Sequence, residues 1–214
     1  MQNKEIGFVL KRFFPQKQKL SILCQYKGKI SITTNPEQRF DQLRPGMLIS
    51  FNYSGNTSSI YFANNIEILM TPQDIKYDCF TWLHRFLEIC YYFVPIEKPC
   101  HEIFFHLYNY FLIYKLEYQF LTQIEIIKKI YLLKLLALLG FYPNKELLAF
   151  LNIYDQLSSL YVDFKDQQKV EFLKWNLQKI KKVHNKKIDD WILNCINSHP
   201  SFKKFKMLKE IQKK

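Results

Sequence analysis

Two hydrophobic periods divide the chain. Up to about residue 69, apolar and polar side chains alternate in short runs: IGFVLKRFF (6–14), KLSILCQY (19–26), KISITT (29–34), MLISFNY (47–53) and SSIYFANNIEIL (58–69). A period of two turns one side of a segment to a core and the other outward, which is the signature of β-strands. Lys27-Gly28, Arg44-Pro45-Gly46 and Gly55-Asn56 stand between the runs and supply turns. Five strands joined by short turns within about 70 residues predict a small closed barrel, because closure removes sticky edges. An OB-type and an SH3-like barrel fit this pattern equally.

At Thr71-Pro72 the period changes to near 3.6. Residues 71–93 read as a helix with Thr71 as N-cap, Pro72 in the first turn and Asp74 three residues after the cap. A second helix is expected from about Cys100 to Phe120. A third, from about Gln123 to Leu139, stops at Gly140, which can take the left-handed conformation that closes a helix, while Pro143 cannot extend one. Residues 145–157 form a short helical pattern. Residues 166–184 form an amphipathic one, with Val170, Leu173, Leu177, Ile180 and His184 as its apolar stripe, and 189–200 a last one stopped by Pro200. The prediction is an α+β chain: an N-terminal small β-barrel over 1–71, then a C-terminal all-α helical domain over 72–214.

Composition changes this picture little, but charge does. Hydrophobic residues at 48% and charged residues at 23% are ordinary for a folded chain of 214 residues. Lysine, not arginine, carries the positive charge, with only Arg12, Arg39, Arg44 and Arg85 as arginines, and the wealth of Lys, Ile, Asn, Phe and Tyr suggests an AT-rich genome. Such a bias adds lysine everywhere. Yet residues 1–71 are net +5, residues 72–163 net −2 and residues 164–214 net +9. A near-neutral middle between two basic ends favours a polyanion at those ends, against a bland reading of two solvated surfaces.

Five cysteines, none in a CxxC pair, give neither a zinc knuckle nor a thioredoxin-type redox site. MQNKEIGFVLKRFF has no long apolar core of the signal-peptide kind, and IFFHLYNYFLIYKL is too short to span a bilayer. A reducing cytoplasm is expected. HEIFFH (101–106) misses the zinc-protease motif by one residue of spacing, which puts its histidines on different helix faces. No phosphate loop, nucleophile elbow or paired-carboxylate spacing is written in the chain. The expectation is a binding protein, without catalytic residues, metal or cofactor.

Small barrels hold single strands with cations that track phosphates and aromatics that stack on bases. The candidate DNA-binding residues are Lys11, Arg12, Lys17, Lys19, Lys27, Lys29, Arg39 and Arg44, with Tyr26 and Phe51 as rings among Phe13, Phe40, Tyr53 and Tyr61. Most of these aromatics are expected to fill the barrel instead. On the 166–184 helix, Lys165, Lys169, Lys179 and Lys186 fall within about a third of the circumference, a basic ridge for a phosphate backbone or an acidic peptide. An ordinary solvated face fits the ridge as well. The closing run SFKKFKMLKEIQKK reads as a docked helix or a basic tail.

The order of these parts resembles the RecO family of bacterial DNA repair and recombination mediators. The residues that carry the likeness are LLKLLALLGFYPN (132–144), whose Leu139, Gly140, Phe141 and Pro143 match the family's Leu-Gly-Phe-x-Pro-like stop. KGKISITT (27–34), LRPGMLISFNYSG (43–55) and SHPSFKKFKMLKEI (198–211) add to it. The chain departs from the family in two places: no cysteines follow the stop where many members bind zinc, and the segment NPEQRFDQLRPG keeps only Arg39 and Arg44 where a basic loop is usual. The resemblance implies an OB-fold barrel that binds single- and double-stranded DNA and a helical domain that binds proteins. It further implies annealing of complementary strands, RecA loading with the partner RecR, and docking of the acidic C-terminal tail of the single-stranded-DNA-binding protein, all at the bacterial nucleoid. Three competing expectations stand beside it: an OB-like nucleic-acid-binding module without annealing, a divergent nuclease, and an adaptor whose charge is codon bias.

Overall fold

The computed structural model describes residues 3–13, 19–33, 42–57, 60–72, 77–116, 124–159, 167–180, 182–201 and 204–205. Five strands, β1 (Asn3–Arg12), β2 (Lys19–Cys24), β3 (Gly28–Thr33), β4 (Leu48–Thr57) and β5 (Ile60–Met70), close into a barrel in the order β1-β2-β3-β5-β4, with β4 returning to β1. β3 and β5 run parallel and the other neighbours antiparallel. This exchange of β4 and β5 is the OB-type arrangement, so strand order decides what the hydrophobic pattern left open.

Alternation holds where one face of a strand meets the interior. In β3, Ile30 and Ile32 are buried and Lys29, Ser31 and Thr33 are half-buried. β2 departs from it: Ser21 and Leu23 are buried along with Leu20 and Ile22, because this strand is covered on both sides. Phe8, directed out of the barrel, sets its ring 5.3 Å from that of Phe104. The register of β1 slips between Val9 and Lys11, a bulge that lets Val9 and Leu10 both be buried and leaves Lys11 toward solvent.

Six helices follow: α1 (Tyr77–Phe93), α2 (His101–Leu116), α3 (Ile124–Leu138), α4 (Lys145–Ser159), α5 (Gln167–Gln178) and α6 (Lys182–Asn197). Asp74, expected to support the cap of the first, lies outside the described residues. The change from strand to helix comes after Met70, but compactness draws its boundary after Phe105, between a unit of residues 1–105 and one of 106–214. The reason is a set of bonds that sew α1 and its exit loop to the barrel. The Lys29 ammonium donates to the Tyr91 carbonyl at 2.6 Å, the Glu97 amide to the Lys29 carbonyl at 3.0 Å, and the Tyr61 hydroxyl to Glu97 Oε1 at 3.1 Å. Leu83 of α1 lies against Gly46.

In the second unit α3 is buried on nearly every side, and its end is built as its sequence suggests. Gly140 has φ +94°, the Phe141 amide donates to the Leu136 carbonyl and the Gly140 amide to Ala137, a Schellman closure. Asn144 then caps α4 through its side chain and the Leu147 amide at 3.0 Å. Ion pairs tie the helices together: Lys129–Asp189 between α3 and α6, Lys134–Asp155 between α3 and α4, and Lys187–Glu146 between α6 and α4.

The helix expected over 166–184 is two helices. α5 ends at Gln178, the Ile180 amide turns back tightly to the Leu177 carbonyl, and α6 starts at Lys182. No glycine or proline marks the break. It lets α6 reach α4, where His184 meets the Phe150 ring and Lys187 meets Glu146.

His106 is fully enclosed. Its Nε2–H donates to the Tyr131 carbonyl at 2.9 Å and its Nδ1 accepts from the Tyr154 hydroxyl at 2.8 Å, with the Tyr131 ring stacked beside it. Burial is the main cause that holds its pKa down to about 3, and the Lys134 charge adds to it. The fold therefore requires neutral imidazole.

This framework makes two expectations about stability. Gly28 has φ +71°, and a Cβ there would lie 1.9 Å from the Lys98 carbonyl oxygen, whereas one at Gly140 meets nothing. Gly28→Ala is expected to cost at least ~2 kcal/mol and Gly140→Ala only about 1 kcal/mol, read from urea midpoints. For His106 the folded pKa lies below the unfolded value of 6.5. Its contribution is thus complete above pH 6.5 and is lost as pH falls toward 3, by about 2 kcal/mol at pH 5. Urea melts at pH 7 and pH 5 should show this loss, and it should shrink in His106→Gln.

Candidate nucleic-acid interface

Three neighbouring strands each send a lysine toward the same pair of rings. Lys11 leaves β1 just after its bulge, Lys19 opens β2, and Lys29 lies near the start of β3. The Lys11 ammonium lies 4.5 Å from the centre of the Tyr91 ring and 5.3 Å from that of Phe13; Lys19 lies 5.3 Å from Phe13 and Lys29 5.6 Å from Tyr91. The two rings are 6.4 Å apart and tilted. Phe13 follows β1, and its amide closes the ladder onto the Lys19 carbonyl at 3.2 Å. Tyr91 is brought in by the last turn of α1.

The three cations are not equivalent. Lys29 spends its ammonium on the Tyr91 carbonyl, one of the orphan acceptors at the end of α1, and burial lowers its pKa. That bond gives Lys29 a structural role beside its place among the candidate DNA contacts. Lys11 and Lys19 keep half-exposed side chains. The rings hold their stems in place at little expense, since an exposed cation–π contact contributes only about 0.5–1 kcal/mol and leaves the ammonium able to meet a phosphate.

The other expected residues are more scattered. Lys27 lies in the β2–β3 turn, 5.4 Å from the Tyr53 ring and 5.7 Å from Tyr61. That end of the barrel also holds acid. Glu5 is buried, accepts from the Ile6 and Tyr26 amides at 3.2 and 3.3 Å, and has its pKa raised by burial against the pull of those bonds and of Lys27. Glu97 stands beside Tyr61. Acidic and basic side chains are thus mixed at this end, whereas Lys11 and Lys19 stand together at the other. Arg12 is half-exposed at the close of β1, beside these lysines in sequence, and Arg44 is exposed in the turn before β4. Tyr26 is 60% exposed, edge-on to His101 at 5.3 Å, and offers a ring face. Phe51 offers none: at 0% exposure it fills the barrel interior, so its place as a stacking ring is corrected. Lys17 and Arg39 lie outside the described residues.

The single helix that the four-lysine ridge assumes is broken between α5 and α6. Lys179 follows the end of α5 and Lys186 is carried by α6, while Lys165 and the side chain of Lys169 lie outside what is described. Two features escape sequence reasoning. Tyr91 sits in an aromatic run on a helix, where nothing announces a meeting with strands. Phe172 and Trp175, 55% and 52% exposed, flank the buried Leu173 on α5, and their three-residue spacing on a solvent face is the available signal.

Among the described residues no group of three or more His, Cys, Asp or Glu side chains converges as a metal site would require, and no helix is long and apolar enough to cross a membrane. Comparison with models of known protein families finds no match, and neither does comparison with curated proteins.

Charge reversal at Lys11 and Lys19 tests the patch. The double variant Lys11→Glu, Lys19→Glu should bind a short single-stranded oligonucleotide at least tenfold more weakly. The slope of log K against log salt should fall by roughly 0.7 for each phosphate that is no longer neutralised. Unchanged affinity and slope would remove this patch from consideration.

Proposed function

We propose that this protein is a non-enzymatic DNA-binding mediator of the RecO kind, acting in repair and recombination by annealing complementary single strands. The observation that carries this reading is the convergence of Lys11 and Lys19, from adjacent strands of a closed OB-type barrel, on the rings of Phe13 and Tyr91. Cations fixed beside aromatic rings are what a small barrel needs to hold a strand without reading its sequence. The order of barrel and helices, and the glycine closure at Leu139–Pro143, add support through the family resemblance.

In this reading the mechanism is electrostatic. The barrel's cations replace condensed counterions on one strand and lower its repulsion for a second, so that base pairing can nucleate. The helical part takes the protein partners that the resemblance implies: the acidic tail of the single-stranded-DNA-binding protein, then RecR, with RecA loaded afterwards. A second reading, an OB-fold binding module without annealing, is favoured by one feature: the segment between β3 and β4 keeps only Arg39 and Arg44 as cations.

The test is annealing of complementary strands, each coated with the cognate single-stranded-DNA-binding protein, followed by fluorescence. Acceleration that disappears when the coating protein loses its acidic tail is the expected result. Binding to bare strands without acceleration would replace the mediator by the simpler module, and neither would overturn both.

A further inference from the structure

We infer that α5 carries a second stacking platform for single-stranded nucleic acid, built from Phe172, Trp175 and Lys179; this extends the proposed strand binding beyond the barrel.

The helix docks by Leu173 and Leu177, both 2% exposed, and the described side chains on its other side are exposed or half-exposed. On that side Phe172 and Trp175 stand more than half exposed. Large aromatics are costly to leave in water at adjoining positions, and contiguous exposed apolar surface marks an interaction site. The two rings are nearly parallel, 29° apart with centres 6.2 Å apart, the offset geometry that a nucleobase extends. The Lys179 ammonium lies over the Trp175 ring.

Charge selects the occupant. The only acid on α5, Glu171, is taken up by Lys174 at 2.9 Å, and residues 164–214 are net +9. The ligand is therefore anionic. Shape selects between anions. An acidic peptide with an apolar end needs a concave pocket for that end. Phe172 and Trp175 instead present rings that stand out from a helix face, which suits a base lying flat on them. A base displaces the ammonium from Trp175, because stacking is the stronger contact, and the released ammonium turns to the adjoining phosphate.

Trp175 is its own probe, since Trp82 is buried and Trp191 half-buried. The experiment titrates the full chain with an unlabelled short oligothymidylate and follows tryptophan emission, and in parallel measures affinity for the same oligonucleotide carrying a dye. Emission should be quenched on binding. Trp175→Ala should abolish the quench and weaken dye-reported affinity roughly tenfold. Lys179→Glu should weaken binding while leaving the fold intact by circular dichroism. The quench should persist in the barrel variant Lys11→Glu, Lys19→Glu at higher oligonucleotide concentration. Dye-reported binding with no quench, and with Trp175→Ala unaffected, would overturn the platform and leave the barrel reading standing. Loss of dye-reported binding only in the barrel variant would do the same. Quenching by an acidic peptide or by anionic vesicles, and not by the oligonucleotide, would overturn the platform in favour of another partner.

Discussion

The ammonium of Lys29 donating to the carbonyl of Tyr91 is the bond on which the first unit turns. Among the described residues β3 and β5 pair through Ser31–Thr33 and Ile60–Phe62. The start of β3 is therefore left with an open side, the kind of edge that attracts unwanted partners. Ile96 and Glu97 fill it, with a parallel bridge at Lys29 and the Tyr61 hydroxyl on the Glu97 carboxylate. That filler is delivered by the end of α1, and the end of α1 is fixed by Lys29. The closure of the barrel and the position of Tyr91 are thus one event. A seam that had to be covered has placed an aromatic ring beside two strand lysines.

Lysine richness alone says little about binding in this chain, and the structure shows how to sort it. In the second unit Lys128, Lys129, Lys134, Lys174 and Lys187 each meet a carboxylate. Exposed pairs of this kind contribute little individually, but a lysine so paired is not a spare cation. Lys11, Lys19 and Lys179 rest on aromatic rings, as Lys134 also does beside its carboxylate and Lys29 beside its carbonyl. A ring positions an ammonium without cancelling it. Where a genome supplies lysine freely, a lysine placed on a ring, with no carboxylate or carbonyl shown to hold its ammonium, is the better candidate for a polyanion site.

The elements legible in the sequence are those fixed by local chemistry. Five strands, the change of period near residue 71 and the closure at Gly140 each rest on neighbours within a few residues, and each appears in the fold. Strand order is not legible, because OB-type and SH3-like barrels share the same alternation and differ in which strand meets which. The double burial of β2 is hidden for a similar reason: its cover lies far along the chain. Phe51 passes for a base-stacking ring by residue type alone, although its place in the alternation, two residues from Ile49 and Tyr53, already puts it inside. The break after Gln178 has no glycine or proline to announce it; what α6 gains on α4 is a tertiary reward that no window of sequence contains.

The two aromatic–lysine clusters also differ in how much each fold needs them. The Tyr91 backbone belongs to the seam of the barrel, and its carbonyl would hold Lys29 whatever ring the residue carried. Phe172 and Trp175 have no such second use among the described residues, where Leu173 and Leu177 are what α5 buries. A stacked pair exposed to water, with a cation over one of its rings, is therefore the cluster that packing among the described residues explains less.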